Sequence, residues 1–185
     1  MLVISAHSDT NFRRHALAVR GREYVGHLDN FVGVHAVLRA FFSGRMEPRN
    51  ARIELTYGEE RDCAGAREVA PTLGATDLVA VVDVTGTPTE ASFVVEKCRS
   101  PRVRKFLERE LSAFAFDLYR GCPDPVAQAD ETDVYRRYTS NVFFLGIPCR
   151  GGDYNRRRVR CLEADVEAVS EALIALSHAV SRFRP

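Results

Sequence analysis

His7 and Asp9 stand two positions apart in SAHSDT, directly after the apolar start Leu2-Val3-Ile4. An imidazole can ligate a metal while a nearby carboxylate holds its ring in orientation. A polar loop is the plainer reading of the same six residues. Glu59 and Glu60 are adjacent, so at a strand exit their side chains point in different directions. One can hold a metal while its neighbour faces a water as general base. An exposed acidic pair beside Arg61 is the alternative. Asp83 lies among valines in LVAVVDV, where burying an ionised, unpaired carboxylate is costly. It needs a partner, water or a metal, unless the strand ends early and Asp83 caps a turn. Asp29 and Asp153 complete the set of chemically capable residues near apolar runs.

The elements that must position these groups follow from hydrophobic periodicity. Residues 2–6 read as a buried strand, and 15–20 with 23–28 as two strands joined near Gly21, a candidate hairpin. From Asn30, a plausible N-cap, apolar residues recur at helical spacing until Gly44 and Pro48. Residues 52–57 alternate as a strand, and 64–70 suggest a short helix. The near-continuous apolar run 78–84 predicts a strand buried on both faces. A strand at 91–95, an amphipathic helix from Val103 to Phe114, a loop at 122–133, a strand at 141–146 and a closing helix follow. This alternation implies an α/β three-layer sandwich with a mostly parallel, mixed sheet, and one domain over 1–185.

Ligands of such sheets gather at the carboxyl ends of strands. His7 with Asp9, then Asp29, then Glu59 with Glu60, then Asp83, then Asp153 fall at or just beyond successive strand ends. At one sheet edge they would form a self-repelling negative cluster. A divalent cation would neutralise it, and two would do so better.

Composition narrows the classes. The chain has 185 residues, 45% apolar and 28% charged, the profile of a soluble globular protein. No apolar stretch is long enough to span a bilayer, and no signal peptide is visible. A net charge of +1 gives no global case for nucleic acid or membrane partners. The run Arg156-Arg157-Arg158-Val159-Arg160 could touch phosphates, but reads better as a solvated loop or the approach to a helix. The five cysteines are odd in number and include no C-x-x-C. That argues against a disulfide framework or a cysteine–zinc site and fits a reducing cytoplasm.

The segments AHSDT, GHLDNFVGV, TYGEERDCAGA, LVAVVDVTGT and GIPCR, in this order, resemble the co-catalytic dizinc aminopeptidase clan. The nearest likeness is to its glutamyl-aminopeptidase, tetrahedral aminopeptidase and endoglucanase M-like group. The resemblance implies His7 as ligand of a first metal with Asp9 holding its ring, and Asp29 bridging two metals. It implies Glu59 as general base, Glu60 as ligand of the second metal, and Asp83 completing the first. The family carries a histidine shortly after GIP; here the loop reads CRGGDYN, in which Asp153 could substitute as an oxygen ligand and Tyr154 more poorly, the alternative being an empty second site. Zinc is the metal implied, with Mn²⁺, Co²⁺ or Mg²⁺ as alternatives suited to a harder donor set. The implied activity is hydrolysis of N-terminal residues from small peptides or of N-acyl compounds, with homo-oligomerisation possible. The domain that the group inserts between the counterparts of His7 and Asp29 is absent. A catalytically degenerate member serving as a binding or assembly protein is the competing reading. His27, two before Asp29, would share its face on a strand and could reach the site.

Overall fold

Alternation within the strands decides which side chains reach which layer. The structure, a computed structural model, describes residues 1–184. In β1 (Leu2–His7), Leu2, Ile4 and Ala6 join one apolar cluster, while Val3 belongs to a second on the opposite face. β5 (Leu78–Thr85) repeats the division, with Leu78, Ala80, Val82 and Val84 on the first side and Val79 and Val81 on the second. Ser5, His7 and Asp83 therefore share the face of Val3, Val79 and Val81. Both strands are buried along their whole length, which explains their lack of polar alternation.

The main sheet runs β4 (Ala51–Thr56), β1, β5, β8 (Val142–Pro148), β6 (Phe93–Glu96), β7 (Phe116–Leu118). β4, β1, β5 and β8 are mutually parallel, and β6 runs antiparallel to β8. α1 (Phe31–Phe42), α3 (Pro101–Glu110) and α5 (Glu163–Ala179) pack into the larger apolar cluster. α2 (Ala64–Val69) and α4 (Glu131–Tyr135) cover the smaller one through Ala66 and Tyr135. This is the mostly parallel three-layer α/β architecture that strand–helix alternation predicts.

β2 (Leu17–Arg20) and β3 (Glu23–Gly26) form the hairpin expected at Gly21, whose φ of +62° suits a residue without a side chain. They do not join the main sheet. With β9 (Val159–Leu162) they make a separate three-stranded antiparallel sheet. Arg156, Arg157 and Arg158 are exposed loop residues, but β9 begins inside the arginine run, with Val159 and Cys161 buried and Arg160 exposed. Asn30 occupies the N-cap position of α1, yet its side chain caps nothing. Its amide donates to the Val82 carbonyl at 2.8 Å and ties the helix start to β5. β7 and α4 form where the sequence suggests only loop; α4 is capped by Asp130, which accepts from the Thr132 amide at 2.8 Å. Among the described residues, no helix is long and apolar enough to cross a membrane.

Candidate metal centre

Sheet register builds the centre of the site. β1 pairs with β5 through Ser5 and Val81, and the same offset carried two residues further sets His7 beside Asp83. On the other side Thr56 of β4 pairs with His7. The loops that leave the parallel strands at this edge then supply Asp9, Glu59 and Glu60. Asp29 arrives differently: it follows β3 of the small sheet and immediately precedes α1, across a cis peptide to Asn30.

These residues converge on one imidazole nitrogen. His7 Nε2 lies 3.1 Å from Asp29 Oδ1, 3.2 Å from Asp83 Oδ2 and 4.0 Å from Glu59 Oε2. His7, Asp29 and Glu60 each offer a donor atom within 4.8 Å of the others. On the far side of the ring, Nδ1 is 3.2 Å from the Asp9 carbonyl and 3.5 Å from Asp9 Oδ1. Asp9 also accepts from the Glu59 amide at 3.3 Å, so it links the loops after β1 and β4. Glu60 is held by Asn11, whose backbone amide donates to Oε1 at 3.2 Å.

The electrostatics follow from burial. His7, Asp29 and Asp83 are 2%, 5% and 7% exposed. Burial, reinforced by the Asp83 charge, pushes Glu59 up to about 9. Burial also pushes Asp83 up to about 7 against the pull of His7, and raises Glu60 with help from Asp29. Burial opposes a charged His7, but Asp83 and Asp29 outweigh it and hold the imidazole well above its ordinary range. Every shift is in the direction that sheds negative charge. Four carboxylates around one imidazole have too few donors between them: one Nε2 hydrogen cannot serve Asp29 and Asp83 together. A divalent cation meets the same need, and nitrogen plus carboxylate oxygen is a donor set that zinc accepts. The residues present fit a cation.

Asp153 is not brought into this cluster. Its Oδ1 accepts from the Asn155 amide at 3.0 Å and from Asn155 Nδ2 at 3.1 Å, and Oδ2 lies 3.5 Å from Arg156 Nε. The turn that leads into β9 engages this carboxylate locally, and the grouped donor atoms are those of His7, Asp29 and Glu60. The neighbouring Tyr154 turns inward instead and donates to Asp124 Oδ2 at 2.7 Å. His27 is also taken elsewhere: its ring stacks on Phe12 at 3.9 Å, and Nδ1 accepts from the Ala16 amide.

A cavity of about 190 Å³ opens beside the cluster, lined by Asp29, Glu59 and Asp83 and also by Glu96, Asp124 and Tyr154. Of these, Glu96 and Asp124 were not singled out from the sequence. Glu96 ends the apolar run FVVE and carries the same signal as Asp83, a carboxylate in a buried strand. Asp124 and Tyr154 sit in loops with no local signature.

The chain matches no family model and no curated protein. Among solved structures, the fold is that of aminopeptidases of the tetrahedral group and its kin, the group that the motifs resemble. An aminopeptidase from the archaeon Desulfurococcus kamchatkensis superposes with TM-score 0.69 at 15% identity, over 92% of this chain and 55% of that one. The TET1 peptidase of Pyrococcus horikoshii, which can assemble into a tetrahedron or a large octahedral shell, gives 0.67 at 15% over 89% and 53%. An aminopeptidase from Thermotoga maritima gives 0.60 at 16% over 84% and 46%. The chain thus spans about half the length of the structures it matches, and at these identities the likeness shows the fold.

Proposed function

We propose that this chain is a metal-dependent hydrolase of the aminopeptidase type, cleaving N-terminal residues from small peptides. The observation that supports it best is His7 Nε2 facing Asp29 at 3.1 Å and Asp83 at 3.2 Å, with Glu59 and Glu60 alongside. In this reading His7, Asp83 and the shared Asp29 hold one divalent cation, and Asp29 with Glu60 holds a second. Zinc suits this set first, with Mn²⁺, Co²⁺ or Mg²⁺ as alternatives. Such a cation supplies Lewis acidity toward a carbonyl oxygen and lowers the pKa of water. Asp9 keeps the His7 ring in one orientation from its Nδ1 side. Glu59 is not needed as a ligand and takes the proton of the attacking water, then returns it to the leaving amine. The acidic lining of the cavity attracts the α-ammonium group of a peptide and disfavours acidic substrates. Phe41 and Phe42, exposed beside the open edge of β4, offer a surface for self-association.

A second reading, a catalytically silent binding or assembly protein, draws on Asp153. With Asp153 engaged by Asn155 and Arg156 in its own turn, Glu60 and the shared Asp29 are the ligands left for a second cation. One experiment separates the two. Glu59→Gln should lower hydrolysis of aminoacyl anilides by about 10²–10⁴-fold while the metal content by elemental analysis stays that of the wild type. A wild type that binds metal but hydrolyses no anilide with Zn²⁺, Mn²⁺ or Co²⁺ supplied would favour the silent reading.

A further inference from the structure

Where the small sheet meets the main one, two cysteines face each other. Just past β8, Arg150 forms an antiparallel bridge with Arg160 of β9. The two residues exchange both backbone hydrogen bonds, Arg150 N to Arg160 O at 2.8 Å and Arg160 N to Arg150 O at 2.9 Å. The next opposed pair is Cys149 and Cys161. It falls at a non-hydrogen-bonded position of the ladder, and the Cys149 amide is engaged with Thr85 O at 2.8 Å instead. At such positions opposed α-carbons come within about 4.5 Å and side chains share a face. A disulfide requires α-carbons about 4.4–6.8 Å apart, so this register meets the requirement without moving either strand.

The surroundings give the pair a consequence. Both cysteines belong to the larger apolar cluster, at 8% and 2% exposure. The adjacent Cys161 thiol, and then burial, hold the Cys149 thiol well above its ordinary range. The segment between them turns on Gly151 and Gly152, with φ of +107° and +128°, and carries Tyr154 and Asn155 into the cavity wall.

We propose that Cys149 and Cys161 form a reversible cross-strand disulfide, which clamps the cavity-wall segment 150–160 at its base. The oxidant is a low-molecular-weight disulfide. One cysteine loses its proton to solvent and its sulfur attacks the oxidant, expelling one thiolate. The other cysteine, likewise deprotonated, attacks the resulting mixed disulfide and expels the second thiolate. Two cysteine thiols become one S–S bond, and the oxidant gains two electrons and two protons to leave as two thiols. Reduction by excess small thiol runs the same exchange backwards. Because both thiols are buried and the Cys149 thiol is held protonated, exchange on the folded protein is slow and requires the 150–160 segment to lift.

The test uses the full chain in glutathione redox buffers, once on the folded protein and once during refolding from urea, where burial cannot hide the pair. Free thiols are then blocked and the protein is digested for peptide mass mapping without reductant. The expected result is a linked species joining the peptides of Cys149 and Cys161, two hydrogens lighter than its reduced parts, at least about tenfold over any other pairing because the fold sets a high effective concentration. Dithiothreitol removes it, and Cys161→Ser never forms it. A second readout needs no variant. Brief trypsin treatment cuts at the exposed Arg156–Arg158 stretch, and the oxidised chain stays in one piece on a non-reducing denaturing gel while the reduced chain separates. Five free thiols after refolding at the most oxidising ratio would overturn the proposal. So would cross-links scattered among the five cysteines.

Discussion

Two groups of carboxylates line one cavity, and they are built on different principles. Around Glu96 and Asp124, donors are plentiful. Glu96 accepts from the hydroxyls of Thr85 and Thr87 and from the Cys122 thiol, the first at 3.2 Å and the last at 3.0 Å. Asp124 accepts from the Gly86 amide at 2.8 Å, the Val126 amide at 2.9 Å and Tyr154 at 2.7 Å. Around His7, by contrast, Asp29, Asp83, Glu59 and Glu60 share one imidazole and a few amides. The first group is satisfied by neutral donors and needs no ion. The second is not satisfied, and that deficit, rather than acidity alone, is what the proposed cation site rests on.

The largest effect that would sharpen this contrast concerns metal content. Asp83→Asn should weaken binding of Zn²⁺ by about 100-fold or more, whereas Glu96→Gln should leave it unchanged, as read by competition with a chromogenic chelator. Equal losses from both variants would erase the distinction. Next in size is ligand-linked stability. Zn²⁺ at about a hundred times its dissociation constant should add about 2.7 kcal/mol, seen as a rise in Tm that chelator reverses. In Asp83→Asn that rise should largely vanish.

Smaller effects belong to the group around Glu96 and Asp124. Tyr154→Phe removes one donor from Asp124 and should cost about 1 kcal/mol in urea unfolding, with metal content intact. Glu96 also carries a pH signature. Burial raises it above its ordinary value of 4.5, against the pull of Thr87, Cys122 and Thr85. The folded chain therefore holds this proton at a pH where the unfolded chain has released it. Stability from this group is highest below 4.5 and declines as pH rises through 4.5 towards the folded value. Glu96→Gln should flatten that part of the stability–pH curve, measured by urea melts from pH 4 upward.

Much of this was legible in the sequence because buried strands announce themselves. LVAVVDV reads as a strand covered on both faces, and its lone carboxylate is then conspicuous. FVVE carries the same message in shorter form, but the strand read at 91–95 stops one residue short of Glu96, which ends the observed strand. Asp153 shows the opposite case. Its position after an apolar strand suggested the cluster, but nearby amides and Arg156 satisfy it within its own turn, a local competition that spacing alone does not reveal. Asp29 was identified as a candidate from the residues before a helix, while its route to the site, through a second sheet, depends on pairing between β3 and the distant β9. β9 itself was hidden in a basic run, although Val159 and Cys161 alternate with arginines in the manner of an edge-exposed strand.

The register of β1 against β5 has a consequence for ion choice. Neighbouring strands are fixed about 4.8 Å apart by their backbone ladder, so the jaw formed by His7 and Asp83 has a span that the sheet dictates. Asp29 and Glu60 come in on connecting segments and can yield. A larger or smaller ion would thus be accommodated from one side only, with the sheet acting as a fixed gauge and the loops as its adjustable arm.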